Sequence, residues 1–439
     1  MPIPTNRLLG WFAMLIPVAL LGVAMPFFWP VSLVLYALLA VVALGDFAAA
    51  RPVLRQISVS LPEVVRLSKD NPGTIPVRIA NAGRRALSLL VGVPVPETIS
   101  VENDMLEVLL PDGAANATVP WSCKPSLRGN FAIDRCYFGL PSPLGLWTLR
   151  GSSVSKSELR VYPNMLSERK RLAAIFLNRG NFGSHRHRIV GQGREFEKLR
   201  EYIPGDSYED IHWKATAKRG RPVTKLFQVE RTQEIYVLID SSRLSARAAG
   251  AETALEHYVT SALTLGLVAR QQGDLFGLLS FADKVRRFMR ASSGKAHYSA
   301  CLDAIYTAHS QMVTPDFEDL FAFVRLRMRR RALLVILTDL GDPVLAENFL
   351  KNVELICGQH VVLVFSIQPP GIRPLFSEPG ADRTDALYGK LGGHLVWQNL
   401  KELEKKLHRK GVRLTMTDND RLSTELVSQY MSIKARQVL

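Results

Sequence analysis

No two cysteines of this 439-residue chain stand close enough to form a CxxC pair; Cys123, Cys136, Cys301 and Cys357 are scattered. That pattern fits thiols kept reduced in a cytoplasmic protein better than a disulfide framework. No Cys/His spacing reads as a zinc site. A phosphate-cradling glycine loop is missing, and so is a nucleophile at a defined distance from a base. Acidic residues are also in short supply: 40 Asp and Glu face 55 Lys and Arg, for a formal charge of +15. Such a balance permits attraction to nucleic acid or anionic lipid. No nucleic-acid motif or aromatic interleaving accompanies it, so nucleic acid is not an expected partner. The basic runs at 325–331 and 401–410 read as solvated helix faces or as surfaces near anionic headgroups.

Charge of either sign is almost absent from the first fifty residues. Leu8 to Phe28 carries none, and Val31 to Ala50 carries only Asp46. Each run is long enough for a bilayer core of roughly 30 Å at about 1.5 Å per residue. Pro30 is expected to break the helix between them, beside the interfacial aromatics Phe28 and Trp29, and Pro17 to kink the first span. Arg7 precedes the pair, Arg51 and Arg55 follow it, and the connecting turn has no cation, which puts both flanks on the inner side of the membrane. The pattern predicts a transmembrane helical hairpin over residues 1–55, with spans at 8–28 and 31–50. A cleaved leader ending near Gly22 and Ala24 is the rival, disfavoured by the second apolar run that follows at once.

Residues 56–163 change to short alternating segments broken by Pro and Gly. Strands are predicted at 75–79, 87–93, 105–110, 117–121 and 158–161, with turns at Asn81-Ala82-Gly83 and Pro111-Asp112-Gly113. That rhythm implies a β-sandwich serving as spacer or docking module. Residues 164–234 form a basic linker and a dense polar segment. Met165 to Asn178 reads as a short basic helix, and Arg179 to Arg188, with His185 and His187, as a solvated loop. Asp206 with Glu209 resembles a capping box opening a helix through Lys218, with Gly220 as its stop. Thr224 to Val229 reads as an edge strand.

Glu195, Asp206 and His212 supply an acid and a base in this segment, which keeps a hydrolase-like enzyme as the alternative function. The plainer account is a set of ion pairs fastening the segment to the sheet that follows. The segment also carries a resemblance. Gly191, Gly193, Glu195, Phe196, Leu199, Arg200, Tyr202, Gly205, Asp206, Ile211, Trp213 and Ala217 stand in the pattern of the domain-of-unknown-function-58 family. Arg128-Gly129-Asn130-Phe131, Pro143-Leu144-Gly145-Leu146-Trp147 and Val161-Tyr162-Pro163 are similar to the same family. The resemblance implies two membrane helices, a β-domain, a von Willebrand factor A-like domain and association with a MoxR-type AAA+ ATPase, without a shared catalytic activity.

Residues 235–439 alternate strand and helix independently of any resemblance. Strands are predicted at 235–239, 275–281, 332–338, 360–367 and 412–416, and helices at 252–271 and 401–410 and from Asp420 onward. The alternation predicts a mostly parallel sheet with helices on both faces. Asp240 and Asp339 then share the carboxyl edge, where such sheets bind ligands. A von Willebrand A-like domain carries there Asp-x-Ser-x-Ser, a Thr from a second loop and a later Asp, an oxygen set suited to Mg²⁺. Asp240, Ser242 and Asp339 match; Leu244 replaces the second serine, Ser245 is out of step, and Ser292-Ser293-Gly294 is the candidate second loop. The metal site is therefore degenerate. The whole reads as an inner-membrane, inward-facing interaction or scaffold protein rather than an enzyme, partnered by the bilayer and a cytoplasmic protein.

Overall fold

The computed structural model describes residues 2–25, 28–166, 168, 190–191, 195–204, 206–228, 232–375, 377 and 384–436. The predicted helix after Met165, apart from residues 165, 166 and 168, lies outside them, as do His185, His187, Gly193 and Gly205. The chain divides into two compact units, Met1–Asn164 and Met165–Leu439.

The first unit opens with a three-residue strand, β1 (Pro2–Pro4), then two helices, α1 (Asn6–Ala24) and α2 (Phe28–Arg55). At 1.5 Å per residue, the 19 residues of α1 reach about 28 Å. Among the described residues, α2 is long and apolar enough to cross a bilayer, with mean hydropathy 2.2 over Trp29–Arg55, while the apolar part of α1, Asn6–Leu21, is shorter. Large apolar side chains stand exposed along both helices, among them Met14, Leu20, Val34, Leu38 and Val41. Pro30 falls in the first turn of α2 instead of breaking a helix, a place where its missing N–H costs nothing. The carboxyl part of α2 is tied to the β-structure that follows it. Asp46 is buried, its carboxylate accepting from Ser142 Oγ and from the backbone N–H of Leu144 (2.9 Å) and Leu146 (3.3 Å). Trp147 Nε1 donates to the Ala43 carbonyl at 2.8 Å, and its ring meets Phe47.

Two sheets follow, built from β2 (Ile57–Ser60), β3 (Val64–Ser68), β4 (Gly73–Asn81), β5 (Leu87–Gly92), β6 (Ile99–Val101), β7 (Leu106–Leu110), β8 (Asn116–Pro125), β9 (Gly129–Pro141) and β10 (Trp147–Tyr162). One runs β2-β4-β8-β6; the other runs β1-β10-β9-β5-β7, with β3 parallel to β10. Alternate residues of each strand point into one shared core around Val59, Ile75, Val77, Leu89, Ile133 and Leu159. The strand that precedes α1 pairs with β10, Pro2 opposite Leu149, and Thr5 Oγ1 donates to the Gly145 carbonyl. The helical pair therefore leaves this β-structure and returns to it.

The second unit begins, in its described part, with a three-stranded antiparallel sheet: β11 (Val190–Gly191), β12 (Glu195–Glu201) and β13 (Val223–Gln228), in the order β11-β13-β12. The strand expected at an edge is thus central, because it pairs on both sides with strands that precede it, β11 and β12. Helix α3 spans Trp213–Arg219.

The main sheet has six strands: β14 (Glu234–Asp240), then, after a two-stranded turn of β15 (Ala248–Ala249) and β16 (Glu252–Thr253), β17 (Leu275–Phe281), β18 (Val285–Ser292), β19 (Leu333–Leu337), β20 (Val361–Ile367) and β21 (Arg413–Thr417). Their order is β18-β17-β14-β19-β20-β21, all parallel except β18. The central strands read as unbroken apolar runs because both faces are covered. Helices α4 (Ala254–Gln271), α5 (Lys295–Ile305) and α10 (Leu422–Arg436) supply residues to the core on one face. Helices α6 (Phe317–Arg327), α7 (Pro343–Asn352), α8 (Glu354–Cys357) and α9 (Thr384–Arg409) pack with the other.

Candidate functional site

The strand order reverses between β14 and β19, which opens a crevice beyond their carboxyl ends. Asp240, the last residue of β14, is fully buried there. Its Oδ1 accepts from Ser242 N at 2.8 Å and its Oδ2 from Thr338 Oγ1 at 2.6 Å. Burial raises the Asp240 carboxyl above the usual range, with the neighbouring Asp339 adding to the rise, against the lowering effect of the Ser242 and Thr338 bonds. Asp339 accepts from Gly341 N at 2.9 Å and pairs with Arg247 Nη1 at 2.8 Å. The same guanidinium donates through Nη2 to the Ile367 carbonyl, 2.7 Å away at the end of the neighbouring strand β20. Beneath them lies the buried Tyr258, whose hydroxyl is pushed up by burial first and by the two carboxylates second.

The structure brings Asp240, Ser242 and Asp339 to one edge, as their positions after strands imply. It does not complete a metal shell. Leu244 brings no oxygen, and Ser245 is buried, bonding to the Ser242 carbonyl at 2.8 Å and to Ser310 Oγ at 3.0 Å. Ser292, expected in the second loop, pairs with Phe276 at the amino end of β17, so that loop stands at the opposite edge of the sheet. No strand was expected at 285–292; β18 runs antiparallel to β17 and carries Ser292 back to that edge. The loop that does reach the crevice follows α5: Gln311 N bonds the Ser241 carbonyl, Arg243 N the Val313 carbonyl, and Arg243 Nε Thr314 Oγ1 at 3.4 Å. Among the described residues no group of three His, Cys, Asp or Glu side chains could hold a metal. The residues present do not fit Mg²⁺, because Arg247 already sets a positive charge against Asp339.

Arg247 is the residue that sequence reasoning missed. Its signal was a cation five residues beyond Ser242, in a loop that had lost one oxygen ligand. Thr338, directly before Asp339, was likewise overlooked.

The signature segment assembles differently. Arg200 pairs with Asp206 at 2.6 Å, and Asp206 Oδ2 also accepts from Ile203 N, so Asp206 closes a turn instead of capping a helix. The cap is His212: its Nδ1 accepts from Ala215 N at 3.0 Å, and α3 starts one residue later. Gly220 ends α3 at φ +66°, the left-handed position anticipated for it. Ile211 is buried and bridges to Thr224. Leu199 and Arg200 lie on β12, as do Glu195 and Phe196, which pair in register with Gln228 and Phe227, and Gly191 lies on β11. The rings of Tyr202 and Tyr208 lie 5.8 Å apart at a tilt, and the hydrogen bond between their side chains raises the Tyr202 hydroxyl. Tyr208 and Trp213 are exposed. Both carboxylate oxygens of Asp206 and the Nδ1 of His212 are therefore engaged in local structure.

Residues 198–373 match the family model described as "Protein of unknown function DUF58". A curated relative, "Uncharacterized protein YeaD" of Bacillus subtilis (strain 168), is 26% identical over 117 residues, 27% of this chain. The match spans 27% of that protein as well, about a quarter of its length. Among solved structures, the conserved hypothetical protein BatB from Bacteroides thetaiotaomicron is 16% identical, covering 46% of this chain and 99% of its own at a TM-score of 0.31. An aerotolerance-related membrane protein from Bacteroides fragilis is 14% identical, with coverage of 46% and 99% and a TM-score of 0.30. The SpRpn10 VWA domain is 12% identical, with coverage of 45% and 95% and a TM-score of 0.30. The likeness to the DUF58 family thus extends over residues 198–373 of the chain.

Proposed function

We propose that the chain is a membrane-anchored interaction protein whose α/β sheet presents its carboxyl edge to a partner without a bound metal. The observation that carries the reading is Arg247, a built-in cation between Asp339 and the Ile367 carbonyl. In an adhesion site a metal joins the protein's oxygens to a carboxylate from the partner. Here a guanidinium with five fixed donors, partly exposed, can serve a partner's carboxylate in the same position. The two hydroxyl-rich loops beside it add neutral donors.

The anchor is the helical pair, read as a two-span hairpin in an inner membrane with both flanks on the cytoplasmic side. Supporting this, β1 and β2 on either side of the pair join the β-sheets of the same unit, and the helices expose continuous apolar surface. The two-sheet part acts as the spacer, in the manner of a β-sandwich. The partner is a cytoplasmic protein of the MoxR-type AAA+ ATPase class, and the chain itself is not an enzyme and takes neither metal nor nucleic acid. Purifying the full chain from detergent-solubilised membranes tests this. An AAA+ protein recovered with the natural chain and lost with Arg247→Glu supports the reading. Equal recovery with the variant removes the edge from it, and recovery of no ATPase removes the partner.

A further inference from the structure

The opposite edge of the same sheet carries a feature of different chemistry. The amino end of β14, the last turns of β18 and the segment joining α6 to β19 enclose an open cleft of about 450 Å³. Four guanidinium groups line it, those of Arg290, Arg327, Arg329 and Arg330, against a single carboxylate, Glu234. Glu234 accepts from Tyr236 Oη at 3.3 Å and stands 3.6 Å from Arg330 Nη1, beyond hydrogen-bond length, and that arginine side chain is 79% exposed. The floor is Tyr236, stacked on Phe288 with ring centroids 6.1 Å apart. Arg290 stands near enough to the Tyr236 hydroxyl for its charge to act on it.

Arginines after a helix often serve its last carbonyls. That use is taken by another residue here: Gln359 Nε2 donates to the Arg329 carbonyl at 2.6 Å and the Met328 carbonyl at 3.3 Å. Arg327 lies over the Phe323 ring at 5.9 Å, which holds its planar group without neutralising it. Four like charges held in a concavity with one counter-charge repel one another, and a multivalent anion relieves that repulsion. Guanidinium forks match the oxygens of phosphate bidentately. We infer that this cleft is a binding site for a phosphate-bearing anion, either a soluble phosphate ester or a phospholipid headgroup.

The test uses the full chain in a nonionic detergent. It is titrated calorimetrically with inorganic pyrophosphate in one arm, and with mixed micelles containing phosphatidic acid in the other. Saturable binding in the first arm identifies a soluble source, and binding confined to the second identifies a headgroup. The double variant Arg290→Gln/Arg329→Gln loses about tenfold or more in affinity, the scale of charge-assisted bonds removed. Arg330→Gln repeats the comparison with a side chain exposed enough to leave folding untouched. Arg286→Gln, whose guanidinium is paired with Asp283 outside the cleft, keeps the natural affinity. The inference is overturned by no saturable binding in either arm, by unchanged affinity in both cleft variants, or by an equal loss in Arg286→Gln.

Discussion

Asp46 lies within an apolar helix, so two physical accounts of it predict opposite signs for one substitution. If it faced lipid, Asp46→Leu would remove a charge costing roughly 2.5–3.5 kcal/mol at a helix centre and would stabilise the protein. In the structure the carboxylate is the common acceptor for Ser142 Oγ and the N–H groups of Leu144 and Leu146, and it is 4% exposed. Leucine would leave three donors without an acceptor, at about 1–3 kcal/mol for each that stays dry. Leu144 is 56% exposed, so water can reach part of this loop and the lower end applies, about 3 kcal/mol in all. For a unit the size of Met1–Asn164, each kcal/mol moves the transition by about 2–4 °C, giving a Tm lowered by about 6–12 °C. Asp46→Asn, which keeps the shape and one acceptor, should fall between. Differential scanning calorimetry of the full chain in detergent measures the shift. A Tm raised by Asp46→Leu would refute the assignment and return the residue to the membrane.

This contact also shows where composition stops being informative. A hydropathy pattern registers that Val31 to Ala50 is apolar, and it registers Pro-Leu-Gly-Leu-Trp as a family motif a hundred residues later. It cannot register that the two meet, because the pairing is a long-range event fixed by β10. The same strand hid itself: only 158–161 of its residues were predicted as strand, and the serine-rich stretch with Ser152, Ser153, Ser155 and Ser157 was not. Yet Ser155 Oγ accepts from Leu61 N at 2.9 Å and Ser157 Oγ donates to the Pro62 carbonyl at 2.6 Å, so buried hydroxyls bond a chain segment that is not in the ladder. In the α/β unit the buried parallel strands and the long helix after β14 were legible, because they write their periods locally, whereas β18 and the shorter helices at 295–305, 317–327 and 343–352 were not. Asp240 and Asp339 followed from that periodicity. Arg247 did not, since a lone arginine in a loop carries no period and its meaning depends on the acid it meets. His212 was offered as a base and proved to be a helix cap, a reminder that a side chain's nearest unpaired N–H decides its use before any substrate does.

Asp274 is 1% exposed and holds Gln233 N, Tyr430 Oη and Lys434 Nζ, so Asp274→Ala should leave two donors and a half-buried ammonium without their carboxylate and destabilise the second unit by about 3 kcal/mol, measured by urea unfolding. Gly277→Ala would bring a Cβ within 2.4 Å of the Tyr236 ring and 2.9 Å of the Ala291 backbone, and should cost about 1–3 kcal/mol in the same assay. Burial lifts the Cys301 and Cys357 thiols to about 11 from 9.0. Their neutral form is favoured by folding, so the stability they contribute is complete below about pH 9 and is lost as pH rises towards 11; alkylation at pH 8 should be slow until denaturant is added, and fast labelling of the native chain would contradict the burial. The last expectation concerns the carboxyl edge. Titration of the natural chain with Mg²⁺ should give no saturable heat, because the guanidinium of Arg247 and a cation cannot both sit against Asp339. Arg247→Ser removes that competitor and adds an oxygen beside Asp240, Ser242 and Asp339, so it should bind Mg²⁺ at least more tightly than the natural chain does. Saturable Mg²⁺ binding by the natural chain that disappears in Asp240→Ala would show that the arginine yields to metal, and the account of this edge as a metal-free docking surface would fall.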